Sequence, residues 1–92
     1  MDYRITLDEI DSDTIDAFRA QVDQAAAKAA DDGGVAVLDF ADVTFMDSTG
    51  VQVLYQRLAD FSATNTELRI VNAAPVIQRL LSIVGLDDLV AP

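Results

Sequence analysis

Residues 35–63 read VAVLDFADVTFMDSTGVQVLYQRLADFSA, and the change from an extended to a helical pattern within them decides the fold. Val35 to Phe40 is nearly continuous apolar sequence, typical of a strand at the centre of a sheet and covered on both faces. A second, shorter extended segment ends at Met46. The apolar residues that follow recur at the spacing of one helix face and predict a helix over 49–63. The residues of this face are Val51, Leu54, Tyr55, Leu58 and Phe61.

The junction between the short strand and this helix is Asp47-Ser48-Thr49-Gly50. The first backbone N–H groups of a helix lack partners within the helix, and its N-terminus carries partial positive charge. Asp, Ser and Thr are therefore favoured there as caps. The same features let a helix N-terminus accommodate a phosphate group. The residues alone leave two interpretations open, a capped helix start or a hydroxyl that accepts a phosphate.

The sequence before this stretch predicts one strand and one helix. Apolar and polar side chains alternate over residues 2–7, as in a half-buried strand. Residues 11–13 offer N-caps to a helix that Gly33 and Gly34 end. The apolar face of that helix is predicted to contain Ile15, Phe18, Val22, Ala25, Ala26 and Ala29.

The sequence after it predicts a further strand and helix. Residues 64–66 are polar and suit a turn, and residues 68–71 suit a strand. Pro75 fits the first position of the third helix, where a missing N–H costs nothing, and Gly85 ends that helix. Strands that alternate with helices predict parallel pairing in an α/β layer structure. In such a sheet, residues 47–50 would lie at the carboxyl end of a strand, where ligands and partners tend to bind.

Composition excludes several classes of function. Sixteen acidic and six basic residues give a net charge of −10, which disfavours binding to nucleic acid and to anionic lipid. The chain has no cysteine and no histidine, so it contains no disulfide, no thiolate chemistry and no Ser-His-Asp triad. We expect no catalytic residue, metal or cofactor, and a cytoplasmic protein without membrane insertion. The dispersed arginines are predicted to lie on solvated faces: Arg57, Arg69 and Arg79.

Residues 37–51 resemble the core of the STAS domain in bacterial anti-sigma factor antagonists. Asp47-Ser48-Thr49-Gly50 stands where that family has its D-S-[ST]-G signature, and residues 75–86 match a P-x-x-x-R-L-L-x-x-x-G-L pattern of the family. Asp8-Glu9-Ile10-Asp11 is similar to its G-E-L-D element, with Asp8 in place of Gly. From the same comparison we expect the extra N-terminal strand of the family to be short or missing. The resemblance implies one STAS-like domain over residues 1–92, with a single-layer, mostly parallel sheet.

The resemblance also implies a function. Ser48 would be phosphorylated by an anti-sigma factor with serine kinase activity, and a serine phosphatase would be a second partner. Unphosphorylated protein would bind the anti-sigma kinase and free its sigma factor. Phosphorylation would prevent this binding and hence the release of the sigma factor. The alternative within the same fold is an accessory STAS subunit of a lipid-transport ABC system. The residues implied in partner binding are Asp11, Asp47, Ser48, Thr49, Gly50 and Gln52, the last standing where the family often has Gly.

Individual carboxylates allow more than one role. Asp47 would cap the helix, orient the Ser48 hydroxyl for a kinase, or do both. Asp11 and Asp42 would solvate a loop, cap a helix or contact a partner, although Asp11 belongs to the element that the family uses for docking. The lone Lys28 falls within the first helix, which disfavours an aspartate-phosphorylating receiver domain.

Overall fold

Strands and helices alternate along the chain in the computed structural model, which describes residues 2–31 and 33–90. A short 3₁₀ turn, Asp87–Leu89, follows the last helix. The elements in chain order are β1 (Asp2–Arg4), β2 (Glu9–Ile10), α1 (Ile15–Asp31), β3 (Val35–Asp39), β4 (Phe45–Met46), α2 (Ser48–Ala63), β5 (Glu67–Val71) and α3 (Pro75–Ile83).

The strands form two parallel ladders. One has the order β1-β3-β5, so β3 is its central strand, as predicted. The other joins β2 to β4, with Ile10 opposite Met46. The α/β class with parallel strands is therefore confirmed. β2 was not predicted, because a strand of two residues is too short to show a periodic pattern.

The helices bury one face of the three-stranded ladder. Ala36 and Leu38 of β3 are buried beneath them, whereas Val35, Val37 and Asp39 are half-buried on the opposite face. The prediction that this strand is covered on both faces is wrong, because burial alternates along it. Valine content reports a preference for extended backbone and does not show how many layers pack on the sheet.

The apolar face of α1 is as predicted, whereas that of α2 is rotated. The buried residues of α2 include Val53, which the predicted face omitted, and Tyr55 is 47% exposed. The Tyr55 hydroxyl donates a hydrogen bond to the Val84 carbonyl, just after α3. The phenol therefore lies at the rim of the core, where its ring packs and its polar end meets a helix terminus.

Arg57 contradicts the prediction of a solvated face. Its side chain is 20% exposed, and its Nε atom lies 2.8 Å from Asp23 Oδ1 on α1. Its Nη1 atom lies 3.1 Å from Asp60 Oδ2 on α2. Arg57 thus links the two helices, a contact between distant residues that helical spacing does not reveal. Arg69 pairs with Glu67 and Arg79 is exposed.

Both predicted ends of α3 are confirmed. Pro75 is its first residue, where no N–H is required. Beyond its last residue, Gly85 has φ of +80°, and the Leu86 N–H donates to the Leu81 carbonyl at 2.7 Å. Glycine adopts this left-handed conformation without the steric cost of a Cβ atom.

Candidate functional site

Two neighbouring strands end at the Asp47 turn, which we define as residues 47–50. Because Ile10 lies opposite Met46 in a parallel ladder, Asp11 and Asp47 leave the sheet side by side. The Asp47 N–H donates to the Ile10 carbonyl at 3.0 Å, which extends the pairing by one residue. The register therefore brings the Asp8–Asp11 element to the Asp47 turn, although Asp11 and Asp47 are 36 positions apart in the sequence. The carboxyl ends of parallel strands are common places for ligands and partners to bind.

Asp47 is the N-cap of α2. Its backbone is extended, with φ of −104° and ψ of −170°, and its carboxylate accepts the Thr49 N–H at 2.9 Å. The same oxygen accepts the Thr49 hydroxyl. These bonds, the hydroxyl bond above all, lower the pKa of Asp47 because they favour the charged carboxylate. The capping role of Asp47 is confirmed, and within the described residues its carboxylate accepts hydrogen bonds from Thr49 rather than from the Ser48 hydroxyl.

Ser48 and Thr49 differ in their surroundings. Ser48 is the first residue of α2 and is exposed. Thr49 is half-buried, and its hydroxyl is held by Asp47. A reagent or an enzyme from solution can therefore reach the Ser48 hydroxyl, whereas the Thr49 hydroxyl completes the cap.

Gly50 is buried in the first turn of α2. A Cβ atom at this position would lie 2.6 Å from Met46 Cγ and 2.8 Å from Ile10 Cγ2, both closer than side chains tolerate. Glycine therefore allows the start of α2 to pack directly on β2 and β4. This packing explains why a glycine follows the hydroxyl residues, and it holds Ser48 at a defined position.

The two other predicted site residues, Gln52 and Asp11, lie beside the Asp47 turn. Gln52 is exposed one helical turn after Ser48, so both lie on the same face of α2. Asp11 is half-buried, and its Oδ1 atom accepts the N–H groups of Asp13 at 2.9 Å and Thr14 at 3.2 Å. Its carboxylate thus orders the turn before α1, while its backbone borders the site.

Phe45 was not predicted to belong to the site. It is 49% exposed and directly precedes the buried Met46 in β4. An exposed phenylalanine three residues before an exposed serine suits contact with a protein better than contact with solvent. The alternation of exposed and buried side chains along β4 could have indicated that Phe45 is exposed. A strand of two apolar residues does not show from its sequence which of them is buried.

Asp42 pairs with Arg4 of β1 rather than with the Asp47 turn. Its two carboxylate oxygens each lie 2.8 Å from a guanidinium nitrogen of Arg4. The hydrogen bonds from Arg4 lower the pKa of Asp42. Asp42 is thereby assigned to an ion pair between β1 and the loop that follows β3.

Residues 2–31 and 33–90 contain no cluster of acidic side chains suited to hold a metal ion. In the same residues, none of the helices combines the length and the apolar character that crossing a bilayer requires.

Comparison with known proteins identifies the fold family. The family model of the STAS domain matches residues 3–92. The chain belongs to the STAS domain family. This match confirms the resemblance of residues 37–51 and 75–86 to STAS domains, and it includes the Asp47 turn.

Two solved structures share the STAS fold of this chain. One is the anti-sigma factor antagonist SpoIIAA in its unphosphorylated form, with a TM-score of 0.74 and 21% identity, over 96% of this chain and 74% of that chain. The other is the Bacillus cell fate determinant SpoIIAA in the phosphorylated form, with a TM-score of 0.64 and 22% identity, over 96% of this chain and 77% of that chain. At such identities the likeness concerns the fold.

The lowered pKa of Asp47 predicts a pH-dependent contribution to stability. A carboxylate with a depressed pKa stabilises the folded protein above its usual pKa of 3.8, and this contribution disappears as the pH falls through the depressed value. Asp47→Asn keeps a capping oxygen but removes the charge. We expect the variant to have a lower free energy of unfolding at pH 7, with the difference from wild type shrinking below about pH 4.

Urea unfolding at a series of pH values measures this difference. Asp13→Asn makes the same chemical change at an exposed position and serves as the control. A difference between Asp47→Asn and wild type that stays constant from pH 7 to about pH 2 would show that the carboxylate charge does not stabilise the cap.

Proposed function

We propose that this protein is an anti-sigma factor antagonist that binds an anti-sigma factor with serine kinase activity and thereby frees a sigma factor. Phosphorylation of Ser48 by that kinase would end the interaction, and a serine phosphatase would restore it. The observation that carries the proposal is that Ser48 is exposed at the start of α2, directly after the N-cap Asp47 of a STAS domain. The protein acts in this proposal by binding, and the catalytic groups belong to its partners.

The local geometry supports phosphate transfer to Ser48 rather than to Thr49. The kinase would transfer the γ-phosphoryl group of ATP, so that a bond forms between phosphorus and Ser48 Oγ and the bond to ADP breaks. The hydroxyl proton would pass to a base of the kinase. Thr49 would have to give up its hydrogen bond to Asp47 before it could react. Ser48 has the exposure that the reaction needs.

The electrostatics support a switch that acts at an interface without refolding the domain. A phosphoserine adds a charge of about −1.5 to −2. At the N-terminus of α2 the helix dipole and free N–H groups tolerate that charge. A partner that covers Ser48 and Phe45 would have to desolvate it next to the Asp47 carboxylate. The same phosphate is thus compatible with the fold and unfavourable in the complex.

Incubation with ATP and candidate anti-sigma kinases, followed by intact-mass measurement and peptide mapping, tests this proposal. We expect one phosphoryl group on Ser48. Ser48→Ala should remain unmodified, whereas Ser62→Ala, at an exposed serine of the same helix, should be modified as fully as wild type. A reaction without kinase separates transfer by the partner from self-labelling.

Two results would contradict the proposal. One is full phosphorylation of Ser48→Ala by a kinase that binds this protein. The other is binding of an anti-sigma kinase with equal affinity before and after Ser48 has been phosphorylated.

A further inference from the structure

The outer edge of β1 lies at the side of the three-stranded ladder. β1 pairs with β3 on one side and stands first in the order β1-β3-β5. Among residues 2–31 and 33–90, no strand pairs with its other side. An open strand edge presents backbone N–H and C=O groups that can pair with another strand.

The backbone groups of Asp2 and Arg4 point away from β3. Successive residues of a strand direct their N–H and C=O groups to alternate sides. The Ile5 N–H donates to the Asp39 carbonyl at 3.0 Å, so Tyr3 and Ile5 face β3. The N–H and C=O groups of Asp2 and Arg4 therefore face outwards, and both residues are exposed.

Helix α1 closes this edge after Ile5. The Gln21 side chain accepts the Thr6 N–H at 3.0 Å and donates to the Thr6 hydroxyl at 2.9 Å. The outward N–H of Thr6 is therefore already occupied. The part of the edge that another strand can use is limited to residues 2–5.

The charges along this short edge are complementary to a second copy of it. In an antiparallel pair centred on Tyr3, Asp2 of each copy lies opposite Arg4 of the other. Opposite charges in directly facing positions stabilise a strand pair. A pair centred on Arg4 would instead place two arginines opposite each other and would need the occupied N–H of Thr6. One register therefore satisfies both the hydrogen bonds and the charges.

The ion pair of Arg4 leaves room for this second contact. Asp42 binds the Nε and Nη2 atoms of Arg4 at 2.8 Å each. The Nη1 group remains to reach Asp2 of the second copy. One guanidinium group can donate hydrogen bonds to two carboxylates in this way, because its N–H groups point in several directions.

We propose that two copies of this protein associate through antiparallel pairing of their β1 strands, centred on Tyr3, so that the two β1-β3-β5 ladders form one continuous sheet. The interface is isologous, as in most homodimers. It is independent of the Asp47 turn, so failure of this proposal leaves the phosphorylation switch untouched.

Charge repulsion between the two copies determines the conditions under which the dimer can be detected. The paired segment is short, and each copy has a net charge of −10, so we expect a weak dimer. At 0.15 M salt the Debye length is about 8 Å, which screens the overall repulsion. Sedimentation equilibrium at protein concentrations up to about 1 mM covers the range in which weak association is measurable.

The decisive experiment exchanges charges between positions 2 and 4. Asp2→Arg alone places arginines opposite each other, and Arg4→Asp alone places aspartates opposite each other. We expect each variant to dimerise about tenfold more weakly than wild type. An equimolar mixture of the two should form a heterodimer, because every facing pair is again opposite in charge.

Backbone pairing is tested by a matched pair of variants at position 4. Arg4→Pro and Arg4→Ala both lose the ion pair with Asp42, but only Arg4→Pro loses the outward N–H. We expect weaker dimerisation in Arg4→Pro than in Arg4→Ala. In wild type, protection of the Arg4 N–H from hydrogen exchange should rise with protein concentration.

The proposal is wrong if wild type remains monomeric up to about 1 mM with no change in the exchange of the Arg4 N–H. It is also wrong if the two charge variants dimerise alone as well as they do together, since the copies would then meet through another surface. Circular dichroism of each variant confirms that a loss of association does not reflect unfolding.

Discussion

Ser48→Asp is expected to weaken binding of the proposed partner, an anti-sigma kinase, by about 30-fold or more. The substitution places a negative charge beside Asp47, on the first residue of α2, in a protein of net charge −10. A charge that an interface desolvates without a partner commonly costs about 2 kcal/mol or more, and each 1.4 kcal/mol is a factor of ten in affinity. Titration calorimetry or biolayer interferometry with the purified kinase measures the change.

Ser48→Asn is the matched control for this experiment. Asparagine has nearly the shape of aspartate but no charge, so it separates electrostatic repulsion from loss of the serine hydroxyl. We expect Ser48→Asn and Ser48→Ala to bind the kinase much more tightly than Ser48→Asp. Equal weakening by Asp and Asn would show that shape, and not charge, controls the interface.

The stability of Ser48→Asp should distinguish lost binding from lost folding. An acidic residue in the first turn of a helix interacts favourably with the helix dipole, by about 0.3–1 kcal/mol. We therefore expect its free energy of unfolding to equal or exceed that of wild type. A variant that folds at least as well and binds less tightly is the behaviour that a phosphate switch requires.

Gly50→Ala is expected to destabilise the protein by about 1–3 kcal/mol, the usual range for overpacking a core. At an exposed position in a helix the same change would stabilise by about 1 kcal/mol, because alanine has the higher helix propensity. At Gly50 the added Cβ atom would meet Met46 Cγ at 2.6 Å and Ile10 Cγ2 at 2.8 Å. Ile10 is fully buried, so it has little room to move away. Steric overlap should therefore reverse the sign expected from propensity.

Urea unfolding of Gly50→Ala tests this expectation, with Ala59→Gly as the control. Ala59 is exposed on α2, where the reverse change should cost about the 1 kcal/mol that propensity predicts. Met46→Ala removes one of the two clashing side chains. We therefore expect the double variant Gly50→Ala, Met46→Ala to be more stable than the sum of the single changes predicts. A stabilising Gly50→Ala would show that the turn does not require glycine for packing.

Local patterns in the sequence predicted most of the secondary structure. The face of α1, the position of Pro75 and the glycine after α3 follow from helix periodicity and from the chemistry of helix ends. These features depend on residues a few positions apart, which is the range that a pattern describes. The cap at Asp47 was predictable for the same reason.

Features that depend on distant residues could not be predicted in this way. The β2–β4 ladder joins segments that are each two residues long. Arg57 was assigned to solvent although it bridges two helices, and the exposed position of Phe45 was not predicted. Each of these depends on which elements the fold brings together, and no local periodicity carries that information.

The sequence by itself determined that a hydroxyl follows a capping aspartate at the start of a helix, and its resemblance to STAS domains is the reason for proposing Ser48 as the phosphoacceptor. The tertiary structure decided what surrounds that serine. The ladder register brought Asp11 beside the Asp47 turn, and contact with Ile10 and Met46 explained the need for Gly50. The physical reason is the separation of the interacting residues along the chain. Caps form between residues that are neighbours in the chain, whereas the surface of the site is assembled by packing between strands and helices that are distant in sequence.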